Sequence, residues 1–450
     1  MRSIAVIGSG WAGCAAAVEL ARAGFKVTLF EAARTLGGRA RRVETDKKLL
    51  DNGQHILLGA YSETLRLMKL VGVDRDQTLL TLPLQMRYPP GSGGMDFVAP
   101  RLPAPLHLAI ALLRSKGLDR ADKMSLARFS SAARWMGWKL NTDCSVNELL
   151  ARFEQTPRLI QLMWRPLCLA ALNTPPERAS AQIFLNVLRD SLGAKKRSAS
   201  DMLLPRADLS ALFPDAASAF LRAHGGAVRT GAKVQALRSI EGRLWQVDVS
   251  GAAVGGTWST YFNGVVLATG AAQAAALLHA VPDCDTTDVC AQLTAFESEA
   301  ITTIYLQYDA GTRLALPFFA LLEDPDNYQW GQFVFDRGQL DAGQAGLLAV
   351  VISASAGVAA QEQDLLAEAV AVQLAAAFQR PELGRPSWFK VITEKRATYA
   401  SSPDLVRPRN ASGLPGLALA GDYTAGDYPA TLESAVRSGV AAAAHLKGVT

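Results

Sequence analysis

Ile4-Ala5-Val6-Ile7-Gly8-Ser9-Gly10-Trp11-Ala12-Gly13-Cys14-Ala15-Ala16-Ala17 opens as a short apolar run, turns through three glycines and continues in small residues. A run of that length reads as a buried strand, and the residues from about Gly13 to Ala23 read as a helix able to lie close against it. Gly24 stops the helix, and Lys26-Val27-Thr28-Leu29-Phe30 returns as a second strand ending at Glu31. The pattern predicts the β-α-β unit of a Rossmann-like α/β fold. Gly8 permits the tight turn, Gly10 a pyrophosphate close to the backbone, and Gly13 the packing of helix on strand. The helix start at Trp11 and Ala12 attracts the anion through its free N–H groups. Glu31, 21 residues beyond Gly10, is placed to accept both hydroxyls of a ribose. The unit specifies a dinucleotide without saying which one.

The whole chain of 450 residues is composed to fold, with 49% hydrophobic and 19% charged residues. Disordered and fibrous classes are excluded on that balance. A net charge of +5 is too thin for a dedicated nucleic-acid binder. Five cysteines, with no Cys-x-x-Cys pair, fit reduced cytoplasmic thiols and supply no metal-ligand set. The first strand begins too near Met1 to leave room for a secretory leader.

Working outward, residues 32–60 read as a long ordered loop facing the dinucleotide, and 60–200 as amphipathic helices broken by Pro-rich connectors. Strands return at 226–270, and 300–395 mixes strand and helix, with a strand at Leu347–Ile352 and a helix at Gln361–Phe378. A strand at Leu417–Ala420 and a helix from about Thr431 to His445 close the chain. The uncharged runs Gly251–Pro282 and Ala342–Gln361 are punctuated by glycine and polar residues, so they read as core elements and not membrane spans.

Two further motifs name the dinucleotide. Glu31-Ala32-Ala33-Arg34-Thr35-Leu36-Gly37-Gly38-Arg39 ends in a planar, multi-donor cation. Leu419-Ala420-Gly421-Asp422 and Pro429-Ala430-Thr431-Leu432-Glu433-Ser434-Ala435 put an acid after a strand and then begin a helix. Together they resemble the flavin amine oxidase and phytoene desaturase superfamily. The resemblance implies FAD in a Rossmann-like FAD-binding domain, beside a second substrate domain of mixed helices and β-sheet. It implies that Ala32 and Arg34 lie at the adenosine end, with Val234 in a strand Gly226–Leu237 that brackets the adenine. It also implies a closing turn at Leu267-Ala268-Thr269-Gly270, and contacts to the flavin end from Gly421, Asp422, Ala430, Thr431 and Leu432. Arg34 stands three residues after Glu31, where many members place the basic residue at four. No cysteine follows Cys290, so attachment is non-covalent. Amine oxidases carry a cage tyrosine where this chain has Thr431, which weakens that reading.

A narrower resemblance spans nearly the full chain. Leu50-Asp51-Asn52-Gly53-Gln54-His55-Ile56-Leu57-Leu58-Gly59-Ala60-Tyr61, Met163-Trp164-Arg165-Pro166-Leu167-Cys168, Leu204–Ser210 and Gly421-Asp422-Tyr423-Thr424 are similar to the bacterial hydroxysqualene dehydroxylase family. The family implies an isoprenoid alcohol as substrate, supplied by a squalene-synthase-like partner and reduced to squalene for hopanoids. An oxidative carotenoid-type desaturase and a prenyl carrier without flavin are the alternatives. Gln54 and His55 would pass the flavin, and His55, Tyr423, Asp427 and Tyr428 are the candidate proton donors. Arg165 is a candidate polar anchor or a salt bridge.

The expected division is residues 1–60, 205–285 and 396–450 for FAD, and 61–204 with 286–395 for substrate. Segment 101–140 carries a net +6 from Arg101, Arg114, Lys116, Arg120, Lys123, Arg128, Arg134 and Lys139 against Asp119 and Asp122. Leu, Phe and Trp residues alternate with these charges, as on a peripheral face meeting the inner membrane.

Overall fold

The computed structural model describes residues 2–241, 244–251 and 256–449; residues 252–255 of the first uncharged run lie outside them. Ile4, Ala5 and Val6 are fully buried, because their strand is the middle of a five-stranded sheet covered on both faces. Ser3–Ile7 pairs in parallel with Lys26–Glu31 on one side and Gly264–Leu267 on the other. Ala227–Thr230 and Leu417–Leu419 extend the two edges, also in parallel. The chain therefore leaves the central strand first in one direction and later in the other. That switch opens a crevice at the carboxyl ends of the two middle strands.

Small residues set how tightly this layer closes. The helix Trp11–Arg22 and the C-terminal helix Leu432–Val449 cover one face. A Cβ at Gly439 would collide with the Ala12 carbonyl, so the two helices touch through backbone. The antiparallel strands Ala232–Ile240, Leu244–Gly251 and Gly256–Phe262 cover the opposite face.

A second sheet is antiparallel, in the order Phe318–Ala320, Phe333–Asp336, Leu347–Ser353, Ser298–Gln307, Trp388–Tyr399. The helix Gln363–Phe378 packs on one face through Leu366, Val370 and Leu374. The helices between residues 106 and 191 pack on the other, with Phe129, Trp164 and Phe184 in one core cluster with Phe333 and Phe335.

Several elements differ from expectation. Residues 32–60 are not one loop: Arg42–Thr45 and Lys48–Asp51 form a hairpin, and Leu57–Leu58 joins a small sheet. The strand expected at 226–237 is broken by Gly231, at φ +64°, into two that belong to different sheets. The closing helix begins at Leu432 because the Thr431 hydroxyl accepts from the Ser434 N–H and caps it. Among the described residues, no helix is long and apolar enough to cross a membrane.

Candidate active site

One continuous cavity of about 910 Å³ runs from the crevice of the parallel sheet to the face of the antiparallel one. Its polar end is made of backbone. A Cβ at Gly13 would strike the Gly8 carbonyl, and one at Gly8 (φ +101°) would stand 2.6 Å from the carbonyl oxygen of Ala268. The second glycine loop meets the first directly: Gly37 N–H donates to the Ser9 carbonyl at 3.0 Å, and a Cβ at Gly38 would lie 3.0 Å from Gly10 Cα. Only hydrogen side chains allow this wall to form.

Charged groups are set around it. Glu31 accepts from Ser9 N–H at 2.8 Å, Ser9 Oγ at 2.7 Å and Ala33 N–H at 2.8 Å, so its carboxylate is fixed at the rim. Arg39 pairs with Asp422 at 2.6 Å and donates to the Ala397 carbonyl at 2.7 Å. That neighbouring carboxylate holds the Arg39 guanidinium above its ordinary pKa. Thr269 and Tyr423 line the cavity, and the buried Oγ1 of the one and hydroxyl of the other have no hydrogen-bond partner. A glycine backbone cradle, a paired arginine and hydroxyls left for a ligand together fit a flavin dinucleotide.

The expected residues divide. Gly8, Gly10, Trp11, Ala12, Glu31, Ala32, Gly37, Gly38, Arg39, Gln54, His55, Thr269, Gly270, Gly421, Asp422, Tyr423, Ala430, Thr431 and Leu432 all line the cavity. Gly13 acts from behind, through its contact with Gly8. The Trp11 ring turns away, with Nε1 donating to the Ala40 carbonyl at 3.1 Å and its face against Phe213. Arg34 is exposed and outside the lining, and Val234 is buried in the core between the two sheets of the nucleotide part.

Asp427 and Tyr428 are likewise outside the lining. Asp427 is exposed and paired with Arg189 at 3.3 Å. The Tyr428 hydroxyl donates to Asp190 at 2.5 Å, and its ring lies under Arg437. Both polar groups are engaged in a network away from the cavity. Arg165 forms ion pairs with Glu177 and Glu323, as the salt-bridge alternative has it.

His55 is in the cavity but in a different state from the one expected. Burial pushes its pKa down, so the imidazole is neutral near pH 7. Nδ1 lies 2.8 Å from the Gly53 carbonyl, which can only accept. The proton therefore sits on Nδ1, and Nε2 is an acceptor. Burial also raises the pKa of the Tyr423 phenol, which keeps its proton.

Other lining residues carried no usable signal in the sequence. Arg41, Asn52, Tyr61, Glu394 and Arg396 join the polar end, and Leu169, Ile301, Phe333, Phe335 and Val351 form the apolar end. Arg396 arrives in a bulge, where three residues of Trp388–Tyr399 oppose Ala300, and Glu394 stands beside it in register with Ile301. Alternation along the strands could have marked Phe333, Phe335 and Val351 as sharing a face. It could not have shown that the face borders a cavity.

This arrangement, a dinucleotide crevice opening into a second apolar chamber, is the layout of a flavin-dependent oxidoreductase. A model of the flavin containing amine oxidoreductase family matches residues 11–447, and the chain belongs to that family. Its cofactor is FAD. The hydroxysqualene dehydroxylase of Rhodopseudomonas palustris is 28% identical, over 98% of this chain and 97% of that one. The zeta-carotene desaturase of Arabidopsis thaliana is 22% identical, over 98% and 85%. The solved cyclohexylamine oxidase of Brevibacterium oxydans superposes with a TM-score of 0.66 at 15% identity, over 99% of each chain.

Proposed function

We propose that this flavoenzyme removes the hydroxyl of hydroxysqualene reductively, giving squalene and water. The observation that carries the reading is the junction inside one cavity: a polar dinucleotide crevice passes without interruption into a wall of Leu169, Ile301, Phe333, Phe335 and Val351. The full-length likeness to a hydroxysqualene dehydroxylase supports the same substrate. A C30 alcohol has one polar atom on a long apolar chain, and this cavity has one polar boundary on a long apolar wall.

FAD, held in the crevice in its reduced form, supplies a hydride. In this reading the Gly8–Gly13 turn and Arg39 receive the pyrophosphate, and Glu31 the ribose. Asp422 and the capped start of the C-terminal helix serve the flavin end. Nε2 of His55 accepts the substrate O–H and orients it, while the apolar wall excludes water from the reacting carbon. Residues 1–60, 205–285 and 396–450 form the FAD part in this scheme, and 61–204 with 286–395 the substrate part. A squalene-synthase-like enzyme supplies the alcohol.

The α-helices Leu106–Arg114 and Arg120–Trp135 serve as a peripheral contact with anionic lipid. Leu106, Leu113, Met124 and Trp135 are exposed, Trp135 by 90%. Arg101, Arg114, Lys116, Arg120, Arg134 and Lys139 beside them have no ion-pair partner among the described residues. Apolar side chains ringed by free cations suit a bilayer surface from which a hydrocarbon is delivered. Flotation with phosphatidylglycerol vesicles is expected to show binding that salt weakens; binding to neither charged nor neutral vesicles overturns this contact.

The function is tested by mixing anaerobically reduced holoenzyme with hydroxysqualene. Return of the oxidised flavin spectrum with one equivalent of squalene is the expected result. Bleaching of the oxidised enzyme by a polyene precursor, with no response to the alcohol, would establish the desaturase reading instead.

A further inference from the structure

Three carboxylates among the described residues line the cavity, and two of them are committed. Glu31 is held by the glycine turn, and Asp422 is paired with Arg39. Glu394 is different. Its oxygens accept only from Asn52 Nδ2 at 3.2 Å and from the Arg396 N–H at 3.3 Å. No described basic group lies within 4.0 Å of it, and Arg39, whose guanidinium feels its charge from farther off, is paired with Asp422 instead. Asn52 is itself held by the Arg39 carbonyl at 2.9 Å, so the amide that orients Glu394 is fixed to the cofactor loop.

The sheet register gives the position of this free charge. Glu394 pairs with Ile301, and Ile301 with Ser353. Thr303 pairs with Val351, and Val351 with Phe333. Residues paired across strands share a face, so Glu394, Ile301, Ser353, Val351 and Phe333 stand in one surface. Glu394 is its border on the polar side, and the remainder is the apolar wall. Such a carboxylate has nothing to gain from a neutral hydrocarbon. It does attract positive charge formed beside that wall, because the carboxylate is half-buried at the wall's edge and the neighbouring side chains are apolar.

We infer that Glu394 is the charge partner of a carbocation formed on the substrate; this rests on the proposed dehydroxylation. The C–O bond of the allylic alcohol breaks, its electron pair leaving with the oxygen, which takes a net proton supplied as hydronium from bulk solvent at the polar end of the cavity and departs as water. The allylic carbons are left positive beside the Glu394 carboxylate. Bound reduced FAD would supply the hydride for that carbon, so one alcohol, one proton and one hydride give one hydrocarbon and one water. Because the charge exists only along the reaction, Glu394 lowers the barrier without tightening alcohol binding.

The test uses holoenzyme carrying Glu394→Gln, which keeps shape and removes charge, with Glu394→Asp as the conservative control. Two readouts are taken. Single-turnover reoxidation by hydroxysqualene is expected to slow at least 100-fold in Glu394→Gln and to recover in part in Glu394→Asp. FAD content and alcohol affinity should stay within threefold. Separately, an amine analogue with a protonated nitrogen at the carbinol position is titrated against oxidised holoenzyme. Wild type should bind it at least tenfold tighter than Glu394→Gln does. Equal amine affinity in wild type and Glu394→Gln overturns the inference, whatever the turnover. If wild type binds the amine through Glu394 but never converts hydroxysqualene, the cation site stands and the substrate reading falls.

Discussion

The two ends of the cavity are built by opposite rules. The nucleotide end is backbone against backbone, with Gly8, Gly13, Gly37 and Gly38 leaving no room for one added carbon. The substrate end is side chain against side chain, with Phe333 stacked on Phe318 and Phe335 tilted against it at centroid distances of 5.6 and 5.2 Å. Close backbone contact fixes a shape and tolerates nothing larger. A wall of aromatic side chains can repack around a loss at a cost proportional to the atoms removed. The contrast suits a site that holds one invariant cofactor and a long pliable hydrocarbon.

The sharpest way to break this comparison is Gly13→Ala. One methyl group against the Gly8 carbonyl is expected to cut the flavin content of the purified protein below roughly a tenth of wild type, read from the ratio of visible to ultraviolet absorbance. A yellow variant with full occupancy would show that the wall yields. Phe335→Ala removes far more matter from the other end. It should cost ~3–5 kcal/mol in denaturant unfolding and leave the protein yellow.

Between these lies Asp422→Asn, which removes the partner of Arg39 but keeps the shape. Its FAD dissociation constant should rise about tenfold, as the loss of one charge-assisted contact allows. Fluorescence titration of the apoprotein measures it, and an unchanged constant would place Arg39 alone in charge of the anion.

An effect that depends on pH is expected at the seam between the two ends. Asp51 is buried, accepts from the Leu209 N–H at 2.8 Å, and through its backbone carbonyl receives the Tyr305 hydroxyl at 2.9 Å. Burial raises its carboxyl from 3.8 to about 6, with Asp208 adding to the rise and Arg337 opposing it. A carboxyl raised on folding binds more protons in the native state. Stability from Asp51 is thus full below about pH 4 and is lost as pH climbs to about 6. Asp51→Asn should gain on wild type across that window by ~1–3 kcal/mol and stay level above it, in unfolding curves at successive pH values. A difference that does not change with pH would show that Asp51 has the same pKa in the folded and unfolded chain.

Legibility followed the same division. The Gly8–Gly13 turn, Glu31, the Gly37-Gly38-Arg39 loop and Asp422 could be read because each is a local pattern whose geometry follows from a few adjacent residues. Tyr61 and Asn52 were within a quoted segment, yet nothing local marked them as lining. Glu433 shows the limit in the other direction. It sits in a legible motif, but its buried carboxylate caps the Ser62–Leu70 helix, accepting from Thr64 N–H at 2.9 Å and Thr64 Oγ1 at 2.8 Å, and pairs with Arg437 at 2.7 Å. Asp427 and Tyr428 lie a few residues from Asp422, and sequence proximity suggested a shared site. The loop carries them instead to Arg189 and Asp190, far along the chain.

By itself the sequence determined the parallel strand-turn-helix frame and the cofactor it binds, since strand periodicity, glycine turns and helix starts act over a handful of residues. Only the tertiary structure decided which acid stands free. Glu394 reaches the cavity because its pairing with Ile301 brings it beside Asn52, 342 residues away in the chain. No local pattern encodes a register between distant strands; it is set by which faces can be buried together.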